Sequence, residues 1–282
     1  MQKKLLILLW LLAACHLLQA QNQVTVITYN IWYDNPNNVD NPWVERKPGV
    51  LQFLGSQKPD IFCVQEALVN QVNDLEQGVY KHFGVGRDDG KKAGEYSAIF
   101  FDTTRFTLQS GNTFWLSETP DKPGTMGWNA VCVRIATWVK LLDSKSGKSF
   151  YVLNTHFDHV GDTARLESAK LIKQKIEKVA GTEPVILTGD FNCKKGSQPY
   201  EVITTGEYSS PLNDSRYHSK RQISGPAFSF VGSKFEGEQG NIIDHIFVSH
   251  HWIVKKAGII ENCSNHRCPS DHLPVVSFAE LK

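Results

Sequence analysis

Short apolar runs, separated by polar and turn-forming residues, make up most of the chain, and several of them end in a polar side chain. Runs of this kind predict strands, and they lie at residues 24–27, 60–65, 96–101, 106–116, 131–142, 149–155, 184–187, 242–248, 252–259 and 273–278. Residues 43–57 and 163–179 instead carry apolar residues at helical spacing. Strands outnumber helices and helices occur in both halves. This pattern predicts an α/β protein with two packed sheets covered by helices.

The first twenty residues differ from the rest of the chain. Two lysines precede the apolar run 5–14, which is too short to span a bilayer. This arrangement predicts a secretory signal cleaved after Ala20, and therefore a secreted or periplasmic protein. A second interpretation stays open, because residues 12–15 resemble a bacterial lipobox. That motif would leave Cys15 as the lipidated first residue of an outer-membrane lipoprotein.

The remaining chain, residues 21–282, is predicted to form one domain. It contains no Pro/Gly/Ser-rich linker, low-complexity tract or internal repeat. Nothing in it predicts a segment that crosses a membrane or an obligate protein partner.

Charge is nearly balanced along the chain. The full sequence has 30 basic and 29 acidic residues, and without residues 1–20 it has 28 basic and 29 acidic residues. A protein that holds long stretches of DNA through its phosphates usually carries a clear positive excess. The balance therefore favours a small phosphorylated substrate, or one held mainly through a metal.

The cysteine pattern indicates one possible disulfide. Cys263 and Cys268 flank four residues and could close a small loop, which an oxidising compartment would permit. Cys63 lies in an apolar run, where a buried thiol is expected. Zinc at the Cys263/Cys268 pair is disfavoured because a fourth ligand is missing.

Carboxylate and amide side chains at the ends of predicted strands point to metal and phosphate chemistry. Glu66 follows Val64-Gln65, and Asn30, in Thr28-Tyr29-Asn30-Ile31, follows the predicted strand at residues 24–27. Mg²⁺ takes one or two carboxylates in near-octahedral geometry with waters and substrate oxygens. Glu66 is therefore the predicted metal ligand, and Asn30, a neutral neighbour, is a further candidate for binding the metal or the substrate.

Asp190 and Asn192, in Gly189-Asp190-Phe191-Asn192, are spaced so that both point to the same side of an extended segment. Such an aspartate can hold and deprotonate an attacking water. The amide of Asn192 can donate to a phosphoryl oxygen without adding charge. The alternative is a simple Asx-turn after the strand.

Asp244, in Ile243-Asp244-His245-Ile246-Phe247, and His272, in Ser270-Asp271-His272-Leu273-Pro274, are predicted to form a carboxylate–imidazole pair. A histidine held in this way can serve as a general base or as a cation beside a phosphate. Asp271 would supply another carboxylate near the metal.

Further candidate site residues lie between positions 96 and 165. His156, at the end of Asn154-Thr155-His156, can donate to a phosphoryl oxygen. Arg134, alone among apolar neighbours, is a candidate for phosphate binding. Tyr96 is a candidate substrate contact. Of Asp158 and His159, one is expected to cap the helix that follows. Arg165 is expected to be exposed.

These segments together resemble the endonuclease/exonuclease/phosphatase superfamily of metal-dependent phosphoesterases, over nearly all of residues 24–278. The resemblance implies a four-layered α/β sandwich, with two packed, mainly antiparallel sheets flanked by helices and the active site at one edge. It implies that Glu66 binds the metal, with Asn30 and Asp271 nearby. It also implies that His156 and Asn192 face the phosphate, that Asp190 activates the water, and that Asp244 and His272 form a pair. It leaves open whether Asp190 or His272 takes the proton. The segments 114–118 and 127–128 look like those of secreted bacterial members of unassigned substrate.

The resulting hypothesis is a secreted hydrolase of phosphoester bonds that uses Mg²⁺ or Mn²⁺ and attacks phosphorus in line with an activated water. The expected substrate is small or lipid-like, cleaved by a phosphodiesterase or phosphatase reaction. One alternative is a secreted nuclease acting on DNA or RNA. A second, from another class, is a non-catalytic binding protein on the same fold.

Overall fold

The computed structural model describes residues 23–37, 40–232, 238, 240–264 and 267–282. The predicted signal segment, residues 1–20, and its alternative cleavage before Cys15 lie outside the described residues.

Twelve strands and five helices are found in the described part of the chain. The strands are β1 Gln23–Asn30, β2 Ile61–Ala67, β3 Tyr80–Phe83, β4 Tyr96–Asp102, β5 Phe106–Trp115, β6 Ile135–Asp143, β7 Ser149–His156, β8 Val185–Asp190, β9 Asn213–Asp214, β10 Asp244–Val248, β11 Trp252–Ile259 and β12 Val275–Leu281. The helices are α1 Trp43–Gln57, α2 Val69–Leu75, α3 Asp162–Ala180, α4 Gln198–Thr204 and α5 Ser215–His218.

The strands form two six-stranded sheets. The first has the order β11-β12-β1-β2-β4-β3 and the second β5-β6-β7-β8-β10-β9. Each sheet contains one parallel pair, β1 with β2 and β7 with β8, and its other neighbours run antiparallel. The predicted class, an α/β sandwich with two mainly antiparallel sheets flanked by helices, is confirmed.

Three apolar clusters separate the layers. In β1, Val24 and Val26 pack with residues of both sheets, such as Val152 of β7. Ile27 and Tyr29, on the opposite face of the same strand, pack with α1. A third cluster lies between the second sheet and α3. Side chains of a strand alternate between its two faces, so each sheet has one face on its partner and one under helices.

The predicted strand over 131–142 starts later than expected, at Ile135. The amides of Val131 and Cys132 donate to the Asp158 carboxylate and do not join the sheet ladder. The apolar pattern alone cannot show this capture by a distant acid. The predicted helix over 163–179 is confirmed within one residue at each end, as Asp162–Ala180.

Cys263 and Cys268 form a disulfide, as the sequence suggested, and Cys63, Cys132 and Cys193 are free. Among the described helices, none combines the length and the apolar character needed to cross a membrane.

Candidate active site

The two parallel strand pairs deliver polar side chains to one edge of the sandwich. Asn30 is paired with Gln65 at the end of β1 and β2, so Glu66 follows immediately. His156 is paired with Asp190 at the end of β7 and β8. Parallel neighbours finish at the same edge of a sheet, so each pair presents its last residues together. Of these residues, Glu66, His156 and Asp190 line a cleft of about 1220 Å³.

Glu66 reaches the cleft because β2 is irregular at this point. The pairing with β4 shifts register between Val64 and Ala67, and Glu66 has φ 64°. A bulge turns a side chain away from the direction that regular alternation would give it. A left-handed backbone is costly for a residue with a Cβ and is typically kept at functional sites.

The amide of Asn30 joins the two sheets. Its Nδ2 donates to Glu66 Oε1 at 2.9 Å and to Asp190 Oδ2 at 3.0 Å, and it lies 3.4 Å from His272 Nε2. Its Oδ1 accepts the backbone N–H of Trp32 at 3.1 Å. The amide nitrogen, and not the oxygen, therefore faces the carboxylates. This contradicts the expectation of Asn30 as a metal ligand and gives it the role of holding the carboxylates in place.

Asp190 is almost fully buried, and each of its carboxylate oxygens accepts a hydrogen bond. Besides the Asn30 contact at Oδ2, its Oδ1 accepts the backbone N–H of Asn192 at 2.9 Å. Burial raises the pKa of Asp190 to about 7, and the nearby charge of Asp244 adds to that shift.

Asn192 lies in the cleft, but not for the reason that its spacing suggested. The strand ends at Asp190, and Asn192 has φ 46°, so the two residues do not share an extended segment. The Asx-turn that the sequence offered as an alternative is present. The Asn192 Nδ2 donates to the carbonyl of Phe157 at 3.0 Å.

Asp244 and His272 form the predicted pair. His272 Nδ1 lies 2.8 Å from Asp244 Oδ2, and its Nε2 lies 3.6 Å from Asp190 Oδ2. Burial disfavours the charged ring, yet the charges of Asp244 and Asp190 outweigh it and raise the pKa of His272 well above its ordinary value. The site thus contains a buried imidazolium between two carboxylates.

His156 has the opposite electrostatic surroundings. Its Nδ1 accepts from Arg134 Nη1 at 2.9 Å, and its Nε2 lies 3.5 Å from Asp190 Oδ2. Burial first, and then the charge of Arg134, lower the pKa of His156 well below its ordinary value. Because an arginine can only donate, His156 is neutral with its proton on Nε2.

Arg134 is buried, as predicted, but it lies behind two histidines. Its Nη2 contacts His159 Nδ1 at 3.0 Å, in addition to the His156 contact. Its Nε has no hydrogen-bond partner among the described residues and lies 3.7 Å from Asp158 Oδ2. The arginine therefore orients imidazoles as well as lining the cleft.

The oxygen donors of the cleft fit a hard divalent cation. Glu66, Asp190 and Asp271 all line it. Burial raises the pKa of Asp271 to about 6, with His272 opposing the shift and Glu66 adding to it. Crowded carboxylates that disfavour one another's charge are relieved by a cation, and carboxylate oxygens suit Mg²⁺ or Mn²⁺.

A second group could also hold a metal by distance alone. Atoms of Asp190, Asp244 and His272 lie within 4.8 Å of one another, all buried. In that group, however, His272 Nδ1 is already hydrogen-bonded to Asp244. An imidazole that carries protons on both nitrogens cannot ligate a metal. The Glu66 and Asp271 side of the cleft is therefore the better candidate.

Two buried amides tie the sheets together behind the site. Gln65 Nε2 donates to Asn154 Oδ1 at 2.6 Å, and Asn154 Nδ2 donates to the carbonyls of Val64 and Ala98 at 2.8 and 2.9 Å. These motif residues hold the two sheets in a fixed relation and leave the cleft to their neighbours.

Two sequence-based expectations differ from the structure. Tyr96 is buried, and its hydroxyl donates to the carbonyl of Lys91, so it is not placed as the predicted substrate contact. Arg165 was expected to be exposed, but its side chain is only 13% exposed, because it donates to the Asp158 carbonyl beside the cleft.

Several cleft residues were not among the candidates predicted from the sequence. Glu95 accepts from Arg87 at 2.5 Å and lies 3.9 Å from Arg134, and burial raises its pKa to about 7. The one feature of the sequence that could have indicated Glu95 is its position as a lone acid directly before an apolar strand. The cleft lining also includes other residues that no motif marks, among them Trp32, Arg87, Phe230 and Lys194.

Comparisons with a family model and with solved structures agree on one family. The model of the endonuclease/exonuclease/phosphatase family matches residues 27–272. A crystal structure of an endonuclease/exonuclease/phosphatase from Bacteroides vulgatus is 43% identical, with a TM-score of 0.87, and the match covers 92% of this chain and 99% of that one.

The chain is also similar to a bacterial phosphatase and to a mammalian protein. A mannosyl-6-phosphatase from Bacteroides thetaiotaomicron is 34% identical, with a TM-score of 0.83, and the match covers 91% of this chain and 99% of that one. Nocturnin from Mus musculus is 27% identical over 259 residues, covering 82% of this chain. The chain spans about half the length of that curated relative, 56%.

Proposed function

The chain belongs to the endonuclease/exonuclease/phosphatase family of phosphoric ester hydrolases, and from that premise we propose that it cleaves a small phosphate ester by in-line attack of water, assisted by a divalent cation. The observation that carries the proposal is the position of Asn30 Nδ2, which touches both Glu66 and Asp190. One amide thereby places the metal-ligand candidate of one sheet beside the water-activating candidate of the other.

Glu66 and Asp271 are the residues that would hold the cation. Mg²⁺ or Mn²⁺ bound there would polarise a phosphoryl oxygen and stabilise the leaving oxygen. Glu66 is held by the Asn30 amide and by the Tyr33 backbone N–H, which lies 3.3 Å from its Oε2. Both contacts fix the carboxylate in the direction of the cleft.

Asp190 is the proposed base. It needs an oxygen that can accept a proton from water and a fixed orientation, and the contacts from Asn30 and the Asn192 backbone supply the orientation. His272 is not proposed as the base, because each of its nitrogens faces a carboxylate oxygen, Asp244 Oδ2 and Asp190 Oδ2. The charges of these two acids also raise the pKa of His272 well above its ordinary value, and a charged imidazole has a proton on each nitrogen and no lone pair to receive another.

The two histidines then have separate roles at the phosphate. His272, held by Asp244, places a positive charge beside the oxygens that gain charge during attack. His156 is a neutral donor whose Nε2–H can point at a non-bridging oxygen. The family resemblance left this division of roles open, and the hydrogen-bond partners favour it.

The preferred substrate is a small phosphomonoester with a hydroxylated leaving group, such as a sugar phosphate. Support comes from the mannosyl-6-phosphatase relative, which matches almost end to end. The nearly balanced charge adds to it, because there is little excess of lysine and arginine to follow a nucleic-acid backbone. A nuclease is the runner-up. It predicts binding that weakens steeply with added salt, whereas a small ester predicts a shallow dependence.

We also propose that residues 1–20 direct export of the protein.

The test is a screen for phosphate release. Sugar phosphates, inositol phosphates, sphingomyelin, DNA and RNA are each supplied with Mg²⁺ or Mn²⁺, with and without a chelator. Activity that requires the metal is expected on at least one small ester. The Asp190→Asn variant should lower kcat by about a thousandfold while its circular dichroism and thermal midpoint stay close to those of wild type. Unchanged turnover by Asp190→Asn would refute the proposed mechanism.

A further inference from the structure

We propose that His159 is a substrate-binding residue that recognises an oxygen of the leaving group. This inference rests on the proposed function, since it concerns the part of the same substrate that leaves the phosphorus. His159 lies in the cleft and is exposed, whereas His156 is buried beside Asp190.

Asp158 is ruled out as the residue that performs this role, although it is next in sequence. Its Oδ2 accepts the amides of Val131 and Cys132, and its Oδ1 accepts those of Val160 and Gly161, at 2.7 to 3.2 Å. Both carboxylate oxygens are thus occupied by backbone N–H groups. Asp158 fixes the two loops on either side of His159 and, by capping the approach to α3, leaves the histidine free for the cleft.

These contacts also argue against a metal site at this position. Atoms of Cys132, Asp158 and His159 lie within 4.8 Å of one another, which by distance alone could hold an ion. A carboxylate that already accepts four amides is a poor ligand, and His159 Nδ1 already accepts from Arg134. Only the thiol of Cys132 would remain, which is too few ligands for zinc.

Arg134 determines what His159 can offer. Because a guanidinium has donors only, the 3.0 Å contact from its Nη2 makes His159 Nδ1 an acceptor. The ring proton must then be on Nε2, which has no partner among the described residues. His159 therefore presents one neutral N–H donor. A neutral donor suits a hydroxyl or ether oxygen, and it adds no charge to a cleft that is already lined by both carboxylates and cationic side chains.

The position of His159 assigns it to the leaving group and not to the phosphate. Arg134 holds His156 on Nη1 and His159 on Nη2, so the two rings are placed side by side by one side chain. The buried ring adjoins Asp190, where phosphorus would be attacked. The exposed ring lines the same cleft on its solvent-accessible side. A leaving group that extends outward from the phosphate along this side of the cleft would reach it.

The experiment compares two substrates in two variants. The substrates are phenyl phosphate, whose leaving group has no oxygen besides the bridging one, and the best hydroxylated phosphate ester from the screen. His159→Phe removes the donor and keeps a planar ring, whereas His159→Gln keeps an amide N–H. For the hydroxylated ester, His159→Phe should raise KM by about tenfold, the value of one hydrogen bond, and His159→Gln should restore most of it. For phenyl phosphate, both variants should keep KM and kcat near wild type.

Each other outcome overturns the inference. An equal loss on both substrates would mean that His159 merely supports Arg134 and His156. No loss on the hydroxylated ester would mean that His159 makes no contact with the leaving group. If wild type cleaves phenyl phosphate but no hydroxylated ester, the inference fails while the proposed function stands. If wild type cleaves no phosphoester, the proposed function fails as well.

Discussion

Two neighbouring residues of β10, Asp244 and His245, each belong to a buried carboxylate–imidazole pair, and only one pair faces the cleft. Asp244 pairs with His272, which lines the cleft. His245 pairs through Nδ1 with Asp214 at 2.9 Å, and its Nε2 contacts the Cys193 carbonyl. The two pairs have the same chemistry in different places, so the chain contains its own control for the role of the cleft pair.

Asp244→Asn is expected to lower kcat by about a hundredfold, because the amide no longer stabilises the charged His272 ring beside the phosphate. Asp214→Asn should leave kcat near wild type and lower the free energy of unfolding by about 1–3 kcal/mol, since it disturbs the Asp214 contacts to His245, Tyr200 and the Arg216 amide. Steady-state kinetics and urea unfolding on both variants measure the two effects. Equal losses of kcat would show that the cleft pair has no special role.

For individual residues, the sequence predicted the residue types of the site better than their contacts. The carboxylates, amides and imidazoles of the motifs do meet at one cleft. The sequence could not show that Asn30 faces the carboxylates with its nitrogen, or that Arg134 contacts two rings. These details depend on partners far away in the chain, which no local pattern encodes.

Among the secondary-structure elements, the irregular part of β2 has the most direct functional consequence. Glu66 has φ 64° where the register with β4 shifts. That conformation costs a residue with a Cβ about 1–2 kcal/mol. The sequence predicted that β2 ends near Glu66, but a bulge leaves no recognisable signal in an apolar run.

Glycine should therefore be better tolerated than alanine at position 66. Glu66→Gly and Glu66→Ala both remove the carboxylate, and in the presence of a chelator the glycine variant should be more stable by up to about 1 kcal/mol. Urea unfolding measures the difference. The pair Lys178→Gly and Lys178→Ala in α3 is the control, where the helix should favour alanine. An alanine variant at position 66 that is the more stable of the two would show that the backbone there is unstrained.

Helix α3 contains a second element-scale feature, the fully buried Lys173. Its Nζ donates to the carbonyls of Ile203, Thr205 and Ser210, which tie α3 to the segment around α4. Burial lowers the pKa of Lys173 from 10.5 to about 8. Between these two values the unfolded chain binds a proton that the folded chain does not, so folding becomes more favourable as pH rises.

The free energy of unfolding of wild type should therefore rise relative to Lys173→Met between pH 8 and pH 10.5, by on the order of 1 kcal/mol. Lys170→Met, a more exposed position on the same helix, corrects for other groups that titrate in this range. Urea unfolding at several pH values gives the comparison. A difference between wild type and Lys173→Met that stays constant with pH would contradict the lowered pKa.

On the scale of the whole molecule, the site exists because two sheets are held in one fixed relation. Gln65 and Asn154 bond across the sheets just behind the cleft, and Asn30 bonds across them to Asp190, which lines it. The apolar pattern predicted two packed sheets, because buried faces must be covered. It could not give the strand order or the short additions β3 and β9, since pairing partners are chosen by tertiary packing.

The central claim is that carboxylates from distant segments form one centre for a divalent cation. Its most direct test is calorimetric titration of Mn²⁺ into wild type and Glu66→Gln, with Asp214→Asn as the control outside the cleft. Wild type and Asp214→Asn should bind the ion alike, and Glu66→Gln should bind it at least tenfold more weakly, since it loses a charged ligand. Equal binding by wild type and Glu66→Gln would contradict the claim.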